Sequence, residues 1–97
     1  MTLPSLVTAN VPGDVQKRWD DFLDNVIVHE SGHVKIGYDG AREYQHQLGN
    51  FPAMANCDVL KSQLQDLFQQ NYRRIDQLNV EYDRTTRHGE TQGAVFP

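Results

Sequence analysis

Residues 14–48 read DVQKRWDDFLDNVIVHESGHVKIGYDGAREYQHQL, and the periodicity of this stretch decides the fold. Apolar and small residues fall at Val15, Trp19, Phe22 and Val26, then at Gly37, Ala41, Tyr44 and Leu48, which is helical spacing on a single face. Carried through the gap, that face lands on His29, Glu30 and His33. Asp14 is the expected N-cap, and Gly49-Asn50-Phe51-Pro52 is a strong stop, with Gly at the helix end and Pro beyond it. Gly37 and Gly40 each weaken a helix by about 1 kcal/mol relative to Ala, which allows a break near 38–40. The stripe keeps its phase across them, so one long helix over about 14–48 is expected.

Working outward, Asn56 or Asp58 can cap a second helix whose stripe runs Leu60, Leu64, Leu67, Asn71, Ile75, Leu78 and Tyr82, ending within 82–86. A short connection between two long amphipathic helices makes an antiparallel hairpin. Thr2 to Pro12 reads as an irregular or extended lead-in, because Pro4 and Pro12 remove backbone donors and bias the residues before them away from helix. Thr85 to Pro97 has Gly89, Gly93 and Pro97 and no periodicity, so it reads as a loop or short extended segment. The expected class is mainly α, a hairpin of two long helices with irregular N- and C-terminal segments.

Composition narrows the function. With 97 residues, 38% hydrophobic and 23% charged, 1–97 reads as a single globular domain. The longest unbroken apolar run, Val26-Ile27-Val28, falls far short of the roughly 20 residues of a membrane span. Met1 to Asn10 has neither the basic start nor the continuous apolar stretch of a signal peptide. A net charge of −4, with no basic cluster beyond Arg73-Arg74, argues against a nucleic-acid partner. Cys57 is the single cysteine, so any metal rests on His, Asp and Glu. A mean hydropathy of −0.64 in so short a chain also predicts a modest core.

His29-Glu30-Ser31-Gly32-His33 is an H-E-x-x-H sequence. Positions i and i+4 of a helix project from one face, so two imidazoles can reach one Zn²⁺, while Glu30 stands close enough to move a water proton without being a ligand. Chance placement of this composition gives roughly 0.005 occurrences per shuffled chain, so the motif is no accident of composition. The same three residues interrupt an otherwise apolar stripe, where unpaired polar groups would cost several kcal/mol. The plain alternative is a pair of ordinary histidines bonded to carbonyls or to carboxylates of the facing helix.

A catalytic zinc site needs a third protein ligand and an open position. The candidates are His88, Asp83, Asp76, Glu81 and Glu43. In a hairpin turning near Ala53, Asp76 is level with the two histidines, Asp83 lies about two turns further on, and His88 must double back. Spacing alone does not choose among them. His46, near a helix end among polar residues, reads as solvated.

Beside this motif stands a second, Tyr82-Asp83-x-x-Thr86-x-His88-Gly89-x-Thr91-Gln92-Gly93-Ala94. Together with Trp19, Ala41 and Cys57, the two motifs make the chain resemble the bacterial family known as domain of unknown function 922, whose members look like secreted or periplasmic zinc-dependent proteases. The resemblance implies His29 and His33 as zinc ligands, Glu30 as general base, and His88 as third ligand ahead of Asp83 and Asp76. If His88 is not the ligand, it would donate to a developing oxyanion while Asp83 binds the metal. It implies a peptide or protein substrate and a periplasmic or extracellular location. It also implies a β-rich segment ahead of Leu3-Pro4, often with a cysteine to match Cys57, so that the chain is the C-terminal helical part of a larger family domain and need not be active alone. The competing expectation is a helical interaction module, or a non-catalytic zinc-binding fragment, that docks on a β-rich partner or self-associates.

Overall fold

A computed structural model describes residues 3–5, 11–53 and 56–96. It contains helix α1, Gly13–Gly49, helix α2, Cys57–Thr86, and a single 3-10 turn at Glu90–Gln92, with no strand among the described residues. The expected hairpin of two unbroken helices is therefore present. Most of the lead-in lies outside the described residues, and 3–5 and 11–12 carry no regular structure.

The helix ends show how local chemistry sets the boundaries. The Gln16 N–H donates to the Pro12 carbonyl at 3.0 Å, so α1 begins one residue ahead of the expected cap. Asp14 sits inside the first turn, where its charge favours the positive end of the helix dipole. At α2 the Val59 N–H donates to Asn56 Oδ1 at 2.9 Å, which makes Asn56 the N-cap and leaves Asp58 in the first turn.

The described chain divides into two compact units, Met1–His33 with Tyr82–Pro97, and Val34–Glu81. In the second unit the buried line on α1 passes through Gly40 and the half-buried Tyr44 and Gln47, while Ala41 and Leu48 are exposed. The stripe is thus rotated by about one residue from the sequence expectation, and Gly40 is part of it because a Cβ there would run into Ile75. On α2 the buried Asn71 is satisfied three ways. Its Nδ2 donates to Gln47 Oε1 at 2.7 Å and to the Leu67 carbonyl at 2.8 Å, and its Oδ1 accepts from Arg74 at 2.9 Å. Leu78, expected on the buried stripe, is exposed, and Asn79 is half-buried in its stead.

In the first unit Trp19 is the one buried apolar side chain among the described residues. It meets Phe22 and Phe96 with ring centroids 5.5 and 5.9 Å away, and Phe22 and Phe96 are 5.6 Å apart edge to face. The C-terminal segment therefore returns to pack on α1.

The turn that sends it back is a Schellman motif. The His88 N–H donates to the Asp83 carbonyl at 2.8 Å and the Arg87 N–H to the Arg84 carbonyl at 3.3 Å. This places Arg87 at the left-handed C′ position usually given to Gly, and His88 and Gly89 continue at positive φ (50°, 55° and 91°). Left-handed backbone costs roughly 1–2 kcal/mol at each of the two non-glycine residues, so contacts made beyond the turn must hold it.

Candidate metal centre

The two imidazoles of the H-E-x-x-H segment lie on one face of α1, as i and i+4 require, with ring centroids 4.9 Å apart. Opposite them is Asp83, the residue whose own carbonyl closes the Schellman turn. Its Oδ1 is 2.7 Å from His33 Nε2 and 3.0 Å from His29 Nε2. One ligand atom from each of His29, His33 and Asp83 lies within 4.8 Å of the others, a cluster that could hold a metal ion. Ligands about 2.0–2.1 Å from a tetrahedral zinc stand about 3.3 Å apart, so the two Asp83–imidazole pairs, at 2.7 and 3.0 Å, need to open by about 0.6 and 0.3 Å.

Tyr82, which the sequence pattern places on an apolar stripe, organises the centre. Its ring stacks on His29 at 4.9 Å with an interplanar angle of 9° and meets His33 edge-on at 4.8 Å. Its hydroxyl donates to the His29 carbonyl at 2.9 Å. Gly32, an unspecified position in the H-E-x-x-H pattern, makes that approach possible, because a Cβ there would overlap the Tyr82 ring and hydroxyl. Gly89 has a similar duty from the other side: a Cβ would stand 2.9 Å from the His29 ring and 3.1 Å from Ala94 Cβ, besides the strain of its positive φ. Thr86 ties the turn to the helix, its hydroxyl donating to the Tyr82 carbonyl at 2.8 Å and accepting from the Gly89 N–H at 3.2 Å.

His29 is 5% exposed and uses both ring nitrogens, Nε2 toward Asp83 and Nδ1 toward Gln92 Oε1 at 2.9 Å. Burial pushes the Asp83 carboxyl pKa up. The hydrogen bond from His33 and the positive charges of His33, His88 and His29 together outweigh it and hold the group below its ordinary value.

Glu30 is half-buried beside His29. His88 is 83% exposed, with Nδ1 3.7 Å from Asp83 Oδ2, so it stands beside the cluster as a neighbour of Asp83. Asp76, Glu81 and Glu43 belong to the second unit. His46 is exposed, as expected of a solvated residue. Cys57 is a free, exposed thiol.

Paired helix segments with two imidazoles and a carboxylate converging on one point define a helical protein with a candidate metal centre. The chain belongs to the family described as bacterial protein of unknown function (DUF922), whose sequence model matches residues 1–89, as the two motifs implied. No curated protein and no solved structure matches it. The match ends at Gly89, and Gln92 lies beyond it.

Proposed function

We propose that this chain is a zinc-dependent hydrolase of the metallopeptidase type, with His29, His33 and Asp83 holding the ion. The observation that carries this reading is the convergence of both Nε2 atoms on one Asp83 oxygen, at 2.7 and 3.0 Å, with His29 Nδ1 already engaged by Gln92. Two imidazole nitrogens and one hard oxygen are a donor set suited to zinc. When bound, zinc supplies Lewis-acid chemistry, polarising a carbonyl and acidifying water. Glu30 takes the proton of the attacking water and returns it to the leaving amine. His88, beside Asp83 and open to solvent, donates to the oxyanion that develops on the substrate. The same reading places the chain's work in the periplasm or outside the cell.

Metal analysis after purification tests the ligand set. Wild type and His88→Ala retain zinc, whereas His29→Ala, His33→Ala and Asp83→Ala lose it; equal zinc in all five sinks the proposal. Glu30→Gln keeps the metal and loses peptide hydrolysis, and full residual activity would remove Glu30 from the mechanism.

A second reading is favoured by the scarcity of buried apolar side chains among the described residues. Phe68, Tyr72, Val59 and Val80 are all exposed on α2. They suit a helical module that docks on a β-rich partner or on a second copy. Sedimentation over a range of concentrations tests self-association, and a well-folded monomer without metal or partner counts against this reading.

A further inference from the structure

We infer that Gln92 is the positioning residue that fixes which nitrogen of His29 is offered to the metal, an inference that rests on the zinc-site reading above. Hydrogen bonds link His29, Tyr82 and Gln92 in a closed ring, each with a fixed direction. The His29 main-chain carbonyl can only accept, so the Tyr82 hydroxyl 2.9 Å away is the donor. Having spent its one proton there, the Tyr82 oxygen can only accept from Gln92, and the Gln92 Nε2 amide donates to it at 3.0 Å. That orients the amide, leaving Gln92 Oε1 toward His29 Nδ1 at 2.9 Å. A carbonyl oxygen has no proton to give, so Nδ1 carries the hydrogen.

The consequence appears on the other side of the ring. A neutral imidazole protonated at Nδ1 presents a bare Nε2, the atom 3.0 Å from Asp83 Oδ1. Two acceptors at that distance repel unless a cation or proton lies between them. Gln92 thus keeps His29 ready as a ligand, as carbonyl partners of metal-bound histidines do elsewhere. The ring is also shut against rearrangement. Tyr82 is stacked on His29, and the Gln92 backbone is pinned by its N–H to the Gly89 carbonyl at 3.0 Å. Thr86 Oγ1, 3.4 Å from Nδ1, is at the limit of hydrogen-bond reach and already accepts from the Gly89 N–H. It is therefore a poor substitute for Gln92.

The test has two arms. In the first, metal-free protein labelled with ¹⁵N-histidine is examined by long-range ¹⁵N–¹H NMR at neutral pH. Wild-type His29 shows a protonated Nδ1, whatever the state of Nε2. Gln92→Leu shifts the ring toward the form protonated on Nε2 alone, and Gln92→Glu, which keeps an acceptor, restores the Nδ1 proton. A bare Nδ1 in wild type, or an unchanged ring in Gln92→Leu, overturns the inference. In the second arm, competition with a chromogenic chelator shows zinc affinity falling 10–100-fold in Gln92→Leu and recovering in Gln92→Glu. Unchanged affinity in Gln92→Leu also overturns it. Should Gln92→Leu fail to fold, Tyr82→Phe releases the amide orientation and gives a mixed tautomer population; a single unaltered tautomer there counts against the inference. A wild-type protein that binds no zinc but keeps the Nδ1 proton refutes the zinc-site reading and leaves the hydrogen-bond assignment standing.

Discussion

Gly32 and Gly37 lie on the same helix, one in each compact unit, and a methyl group added to each would meet quite different surroundings. At Gly32 it would overlap the Tyr82 ring, and at Gly37 it would find nothing within 4 Å. The contrast extends to the units themselves. The first is held by a buried polar centre, an aromatic cluster and a returning C-terminal segment. The second is a paired stretch of α1 and α2 in which Asn71, with its three hydrogen bonds, is the buried side chain among the described residues. Specific contacts have been concentrated where chemistry would need fixed geometry, and the other unit is left with ordinary helix pairing.

Substitutions in the two units should differ in their effects, and the largest is expected at Trp19. Trp19→Ala should cost about 3–5 kcal/mol in urea denaturation. Phe68→Ala, in the second unit and 48% exposed, should cost at most about 1 kcal/mol. Comparable losses would mean the second unit is as tightly held as the first. Zinc at about a thousandfold its Kd should raise stability by about 4 kcal/mol, with slowed hydrogen exchange concentrated around 29–33 and 82–92. Protection spread evenly over 34–81 would contradict the assignment of the site to the first unit. Gly32→Ala should destabilise by about 1–3 kcal/mol through overpacking on Tyr82, while Gly37→Ala should stabilise by up to about 1 kcal/mol through helix propensity. Matching thermal shifts of one sign would erase the contrast.

The smallest effect concerns acid. The Asp83 pKa is lowered in the folded state, so the stability it contributes is present above the unfolded carboxylate value of about 3.9 and is lost as pH falls through the folded value. In metal-free protein Asp83→Asn should remove that part of the acid limb, as followed by circular dichroism at stepped pH. An identical acid transition would show that Asp83 carries no such linkage.

The hairpin was legible because a helix writes its buried face into the sequence every three to four residues, and because Asn56 and Gly49-Asn50-Phe51-Pro52 mark the ends. Phase was harder to read than period. Ala41 and Leu48 look more apolar than Gly40 and Gln47, yet Gly40 is chosen for the space it gives Ile75. The two imidazoles were legible for a similar reason, since i and i+4 share a face wherever the helix goes. Asp83 was visible as a candidate but its selection was not, because it depends on the register between two helices. Gln92 belongs to the second motif, but its role is hidden in the sequence, as its reach depends on three successive left-handed residues, of which Gly89 alone advertises positive φ. A glycine inside the H-E-x-x-H helix was the available hint that another side chain presses on it.

The returning C-terminal segment has a consequence for the order of assembly. Each helix can form from neighbours in sequence, on the microsecond scale. The contacts that make the centre join residues 50, 54 and 63 positions apart, and Asn25 grips the Gly93 carbonyl across 68. Their loop-closure entropy must be met before any of them stabilises the chain. The turn-proximal pairing of α1 and α2 is therefore expected to form first, the contacts of Asp83 with His29 and His33 later, and those of Gln92 and Gly93 last.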